Sequence, residues 1–169
     1  MRKSNFTKFL DSLTEDELRE ELDKLYTRYK SIKEYYAMEL GNVDDRKKLL
    51  DRAKNSIERL YERRKTRSRL SKVNAILKDI STISIFDHEL ADVYIHHVEC
   101  ATSHINYYGL RRDADANHLA TSFKKAVDLV TSSQTKVDNG PRLEKVLDRL
   151  HVFYALTNEL GEYLDENLF

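Results

Sequence analysis

Residues 14–40 read TEDELREELDKLYTRYKSIKEYYAMEL, and this stretch decides the fold class. Thr14 and Glu17 have the T-x-x-E spacing of a capping box, in which each side chain satisfies the other residue's backbone N–H at a helix N-terminus. Apolar residues then recur at alternating steps of four and three, the pattern of a helical seam: Leu18, Leu22, Leu25, Tyr29, Ile32 and Tyr36. Gly41 follows where a helix C-terminus favours a left-handed residue. The pattern predicts one helix from about Glu15 to Leu40.

The same apolar spacing continues through the rest of the chain. It predicts five further helices, over about 44–64, 68–81, 87–108, 116–131 and from Pro141 to about Leu164. With only 4 glycines and 1 proline, the chain lacks the turn-forming residues that turn-rich β folds need. A short connection makes antiparallel neighbours. We therefore expect an all-α single domain over residues 1–169, with about six helices in an irregular bundle led by a long antiparallel hairpin. An irregular α-α superhelix is the alternative.

Charge and composition narrow the classes of protein. The 29 Lys and Arg residues balance 29 Asp and Glu residues, whereas nucleic-acid-binding domains usually carry a basic excess. A single cysteine forms no internal disulfide and fits a reducing compartment. The N-terminus lacks the apolar region of a secretory signal, and no stretch reaches the ~20 apolar residues that span a bilayer. We expect a cytoplasmic protein without a membrane segment or a cofactor.

Residues 96–104, HHVECATSH, bring together three histidines and the only cysteine. On a helix, His96, Cys100 and His104 form one row, and either neighbouring pair has the spacing to hold one ion. The two histidines at the ends of the row lie about 12 Å apart along the axis, too far for both to bind one ion through bonds of ~2 Å. We expect a helix face without metal. A helical metal-binding protein that uses His96, Cys100 and His104 is an alternative.

Residues 112–118, RDADANH, resemble a second kind of site. All-helical ribonucleases of the HEPN type place an arginine four to six residues before a histidine. The resemblance implies that His118 would transfer a proton and that Arg112 would steady the phosphate charge, without a metal. Such a spacing arises readily by chance in a chain rich in arginine, and no hydrolase or nucleotide-binding signature is present. We expect no enzymatic activity, with this ribonuclease as the main alternative.

The basic run over 59–72 includes Arg63, Arg64, Arg67 and Arg69. These four residues could form a phosphate or nucleic-acid patch. In the predicted hairpin, however, they would face the acidic start of the first helix, where Glu15, Asp16 and Glu17 lie. We favour this internal charge match and do not expect a nucleic-acid partner.

Tyrosine is abundant, with 10 residues and no tryptophan. In each of the pairs Tyr35–Tyr36 and Tyr107–Tyr108, one ring must point away from the core face of its helix. Tyrosine suits interfaces because it joins an apolar ring to a hydroxyl that stays in water. With the helical seam, these rings predict a non-catalytic protein–protein interaction or adaptor module, whose partner is another protein or a second copy in a homodimer.

Four stretches carry a resemblance to a known family: LTEDELREELDKLYTRYKSIKEYYAMEL, LADVYIHHVECATSHINYYG, FKKAVDLV and RLEKVLDRLHVFYALTNELGEYLDENLF. They resemble a bacterial family of small helical proteins known as domain of unknown function 6155. The resemblance covers most of the chain and rests on helical pattern and aromatic placement. It implies an all-helical bacterial domain, and it implies no activity, cofactor or site residue.

Overall fold

The computed structural model describes residues 2–62, 69–84 and 86–169. These residues form nine helices and no strand: α1 (Lys3–Asp11), α2 (Glu15–Arg28), α3 (Lys30–Glu39), α4 (Val43–Glu62), α5 (Leu70–Ile83), α6 (Asp87–Tyr108), α7 (Asp113–Ser132), α8 (Lys136–Arg149) and α9 (Tyr154–Leu168). The predicted all-α class is confirmed. The expected number of about six helices is wrong.

The predicted long first helix is two helices with a break at Tyr29. Tyr29 has an extended backbone, with φ −113° and ψ 118°, and it separates α2 from α3. The rings of Tyr26 and Tyr36 lie 6.4 Å apart, whereas a straight helix would separate these residues by about 15 Å along its axis. The break turns α3 onto α4 and α5, where Met38 is fully buried. The hairpin that was expected to lead the fold is therefore wrong.

Successive helices from α4 onwards alternate in direction. Ser132 at the end of α7 donates a hydrogen bond to Asp87 at the start of α6, so these two helices are antiparallel. Contacts of Lys54 with Asp92 and of Arg142 with Glu99 set α4, α6 and α8 side by side in one direction. The helices α7 and α9 also run in the same direction, because Lys124 binds Glu159 and, one turn later in both helices, Asp128 binds Tyr163. The order is that of stacked helix pairs rather than of a bundle around one hairpin.

The seven helices from α3 to α9 form the core of the described chain, and α6 lies at its centre. The principal neighbours of α6 are α4, α7 and α8, and α6 contributes more buried residues than any other helix of the described chain. In contrast, α1 and α2 contribute no buried residue. The two N-terminal helices therefore stand outside the core that holds the rest of the chain together.

Helix ends follow the sequence signals in some places and not in others. The Thr14–Glu17 capping box forms, with Glu17 accepting from the Thr14 N–H at 2.8 Å. Gly109 ends α6 at φ +80°, a region that favours glycine. Gly41 does not have a positive φ; a Cβ there would clash with the Ala37 carbonyl oxygen, so close backbone approach is the reason for glycine. Pro141 lies inside α8 and not at its start.

Candidate functional site

The histidine-rich stretch lies in the middle of α6, and its residues divide between the core and a groove. Ala91, Val98, Ala101 and Ile105 lie on one face of α6 and are buried. His97 lies on the flank of that face, and it is fully buried as well. The reason is tertiary, because α4 and α7 cover this flank as well. α6 therefore faces the protein interior over more of its circumference than its sequence indicates.

His97 is enclosed by two other rings. The Tyr61 ring stacks on it with centroids 5.8 Å apart, and the Tyr61 hydroxyl lies 3.5 Å from His97 Nδ1. The His118 ring from α7 lies 4.9 Å away. Burial, and then the neighbouring histidines, lower the pKa of His97 to about 3. Burial also lowers the pKa of His118, against an opposing effect of Asp115. Burial thus favours the neutral form of both rings.

His97 and His118 each have one buried ring nitrogen that the described residues leave without a hydrogen-bond partner. The Nε2 atoms of His97 and His118 are buried and have no hydrogen-bond partner within residues 2–62, 69–84 and 86–169. A cavity of about 10 Å³ adjoins His118 and is lined also by Tyr61 and Asp115. Such orphaned atoms add to the cost of burying the pair.

The candidate metal row of His96, Cys100 and His104 lines the outer side of α6. His96 Nε2 lies 3.6 Å from Cys100 Sγ, whereas the His104 ring packs on Tyr108 with centroids 4.8 Å apart. Burial raises the pKa of the Cys100 thiol to about 12, and nearby glutamates add to the shift. In the described part of the chain, no three His, Cys, Asp or Glu side chains are grouped to hold a metal ion.

A groove with a volume of about 520 Å³ opens between α4 and α6 beside this row. We call it the α4–α6 groove. Its described lining consists of acidic, aromatic and small polar side chains: Glu58, Tyr61, Glu62, His96, Glu99, Cys100, Ser103, His104, Tyr107 and Tyr108. The groove could not be predicted from the sequence, because Glu58 and Glu62 form part of a groove only through the packing of α4 against α6.

The candidate ribonuclease pair lies at the N-terminal end of α7. Arg112 is the residue before the helix, and its guanidinium holds both carboxylate oxygens of Asp115, at 2.6 and 2.8 Å. His118 lies two turns into the helix, where its ring contacts His97. Arg112 was expected in a loop and His118 on a helix, as the structure has them. Arg112 binds Asp115, whose charge also acts on His118, and the ribonuclease role stays a prediction.

The candidate basic patch falls mostly outside the described residues. Arg63, Arg64 and Arg67 lie in the segment 63–68, and Arg69 is the residue before α5. The acidic residues at the start of α2 form ion pairs within their own helix, such as Glu15 with Arg19 at 2.6 Å. The internal charge match and the phosphate patch both stay predictions.

Several exposed apolar side chains lie on the N-terminal helices. Leu18, Leu22 and Tyr26 form one row along α2, and they are 37, 47 and 46% exposed. Phe6 and Phe9 of α1 are exposed as well, with ring centroids 6.4 Å apart. We call these five residues the N-terminal apolar surface. The spacing of the sequence predicts this row as part of the helical seam but does not identify what covers it.

In each of the two tyrosine pairs one ring is exposed and the other is more enclosed, as their spacing predicts. Tyr107 is 81% exposed and Tyr35 is 38% exposed, whereas Tyr36 and Tyr108 are more enclosed. The Tyr107 and Tyr108 rings meet edge to face with centroids 4.6 Å apart. Tyr107 and Tyr108 therefore belong to the wall of the α4–α6 groove.

Comparison with known proteins gives a family and no function. The model of a family of unknown function, DUF6155, matches residues 1–160. No curated protein and no solved structure matches the chain. Among the helices that the structure describes, none combines the length and the apolar content needed to cross a lipid bilayer.

Proposed function

The chain belongs to the family of unknown function DUF6155, and we propose that it is a non-catalytic protein–protein interaction module that pairs with a second copy of itself. The observation that carries this proposal is the N-terminal apolar surface. α1 and α2 expose five of their large apolar side chains, in two groups, and bury none of the rest. The row on α2 is contiguous along the helix, and contiguous apolar surface on a soluble protein marks a site of interaction.

The spacing on α2 suits another helix as the occupant. Leu18, Leu22 and Tyr26 follow each other at intervals of four residues, so they lie in one row along the helix. A partner helix can bury such a row by inserting its own side chains between these positions. Tyrosine at the end of the row supplies an amphipathic contact of the kind that protein interfaces favour.

Charge complementarity indicates that the partner helix is another α2. The part of α2 up to Asp23 is mainly acidic, and the part from Lys24 onwards is basic. The acidic residues are Glu15, Asp16, Glu17, Glu20, Glu21 and Asp23, with Arg19 among them; the basic residues are Lys24 and Arg28. Two antiparallel copies would set each acidic part beside a basic part, which is the self-complementary interface of a twofold dimer.

The test is the mass of the full chain in solution, measured by sedimentation equilibrium over a range of concentrations. We expect a concentration-dependent dimer. Leu22→Lys should yield a monomer, because it places a charge in the apolar row. Val137→Lys is the matched control, since Val137 is an 87% exposed apolar residue on α8. A monomeric wild-type chain at all concentrations, or an undiminished dimer of the Leu22→Lys variant, would contradict the proposal.

A charge exchange tests the antiparallel arrangement separately. The variant Glu20→Lys/Glu21→Lys reverses two charges in the acidic part of α2, and the variant Lys24→Glu/Arg28→Glu reverses two charges in its basic part. We expect each variant alone to be a monomer, because like charges would face each other, and a mixture of the two to form a heterodimer. Dimers of either variant alone would exclude this arrangement.

A further inference from the structure

The α4–α6 groove is a second feature that nothing so far explains, and it is independent of the proposed pairing through α2. Its volume of about 520 Å³ lies within the range of ~300–1,000 Å³ that small-molecule sites occupy. We propose that the groove binds a small organic cation of the quaternary ammonium class. The charges and the aromatic rings that line the groove fit such a cation.

The charge of the described lining is negative. Three carboxylates, those of Glu58, Glu62 and Glu99, line the groove, and there is no lysine or arginine among its described lining residues. Glu99 is held by Arg142 of α8 at 2.9 and 3.0 Å, so its charge is partly offset. Glu58 and Glu62 lie one turn apart on α4, and both are exposed at the edge of the groove. The described lining taken by itself repels an anion and attracts a cation.

The rings of the lining form a continuous wall. Tyr107 contacts Tyr108, Tyr108 contacts His104, and His104 contacts Tyr61, with centroid distances of 4.6, 4.8 and 5.6 Å. Tyrosine faces attract cations through the ring quadrupole, and walls of this kind are the way in which proteins recognise quaternary ammonium groups. A methylated ammonium also loses less hydration than a metal ion when it leaves water, so it suits a groove lined by aromatic rings.

A metal ion fits the groove less well than an organic cation. Burial and, secondarily, the nearby glutamates raise the pKa of the Cys100 thiol and disfavour its thiolate, which is the form that metal ions bind. His96 Nε2 is already in contact with Cys100, and the His104 ring packs on Tyr61 and Tyr108. A quaternary ammonium needs no such ligand atom, because its contacts are with ring faces and with charges nearby.

The test compares choline with its uncharged isostere, in which a tert-butyl group replaces the trimethylammonium group. Each compound is titrated into the full chain, and binding is followed by calorimetry and by shifts of tyrosine ring signals in NMR spectra. We expect saturable choline binding with a dissociation constant of about 1 mM or below, and at least tenfold weaker binding of the isostere. Equal binding of the two compounds would overturn the proposal, as would a dissociation constant for choline above about 10 mM.

Two variants locate the site. Glu58→Gln/Glu62→Gln removes two charges from exposed positions without changing side-chain volume, and Tyr107→Leu removes a ring that is 81% exposed, so both variants should fold. We expect each to weaken choline binding about five- to tenfold. Glu166→Gln, an exposed change on α9 outside the groove, is the control and should leave binding unchanged. Choline binding that survives both groove variants unaltered would place the cation elsewhere and overturn the proposal.

Discussion

His97 is a fully buried histidine whose ring is enclosed by Tyr61 and His118. A charged imidazolium at this position would lie beside a second imidazole and away from water. The folded chain therefore resists protonation of His97 down to a pH of about 3, whereas an unfolded histidine binds its proton near its ordinary value of 6.5. This difference makes the stability of the protein depend on pH.

We expect the free energy of unfolding to fall as the pH is lowered from 6.5 towards 3. Within this window the unfolded chain binds a proton at His97 and the folded chain does not, so His97 alone contributes a loss of up to about 1.4 kcal/mol per pH unit. His118 adds a smaller loss in the same direction. Urea denaturation at a series of pH values measures the slope.

His97→Phe keeps a ring against Tyr61 and removes the titrating group. Between pH 6.5 and 3, the free energy of unfolding of this variant should therefore change less steeply with pH than that of the wild type. The exposed His151 provides the control, because His151→Gln should leave the slope unchanged. Equal slopes for His97→Phe and the wild type would show that another group carries the pH dependence.

At the scale of the helices, two glycines should respond to alanine in opposite ways. Gly109 ends α6 at φ +80°, where alanine is strained, so Gly109→Ala should lower the free energy of unfolding by about 1 kcal/mol or more. Gly161 lies inside α9, and a Cβ there would meet only Leu147 at 4.0 Å. Gly161→Ala should therefore raise the free energy of unfolding by about 0.5–1 kcal/mol. Thermal and urea denaturation measure both, and changes of the same sign would contradict this reading.

Local signals explain which helix boundaries could be predicted. α6 has the predicted bounds, Asp87 to Tyr108, because a glycine with a positive φ ends it. The break at Tyr29 carries neither glycine nor proline, and it follows from the packing of α3 on α4 and α5. Pro141 was read as a helix start, yet α8 begins at Lys136 and tolerates the lost hydrogen bond near an exposed Val137.

Burial was harder to predict than helix type. The row of Leu18 and Leu22 has the spacing of a core seam, but the spacing does not identify what covers it. Nothing near His97 in the sequence indicates that α7 packs against it. The α4–α6 groove likewise needs residues from two helices that lie about 40 positions apart along the chain.

At the scale of the whole molecule, Arg142 joins parts of the fold that are distant in sequence. From α8 it binds Asp92 at 2.6 Å and Glu99 at 2.9 Å, and Lys54 of α4 binds the same Asp92 at 2.8 Å. Burial alone would raise the pKa of Asp92, but its hydrogen bonds with Lys54 and Arg142 lower it. One half-buried guanidinium therefore connects α8 with α6 and, through Asp92, with α4.

Arg142→Met should lower the free energy of unfolding by about 1–3 kcal/mol, because it leaves two half-buried carboxylates without their shared cation. Arg142→Lys should restore only part of the loss, since a lysine cannot donate two parallel hydrogen bonds to Glu99. The control is Arg19→Met, whose ion pair with Glu15 is exposed and should contribute less than about 1 kcal/mol. Urea denaturation of the three variants decides; equal losses for Arg142→Met and Arg19→Met would contradict the expected role of Arg142.

Because α1 and α2 contain no buried residue, the core contributes little to keeping these two helices folded. Short helices that bury little are marginal in water on their own. If a second copy covers Leu22, ordering of these helices and association become one equilibrium, and the apparent stability of the N-terminal region rises with the concentration of the chain. The core from α3 to α9 has no such dependence. The amount of this protein in solution would then set how much of its N-terminus is folded.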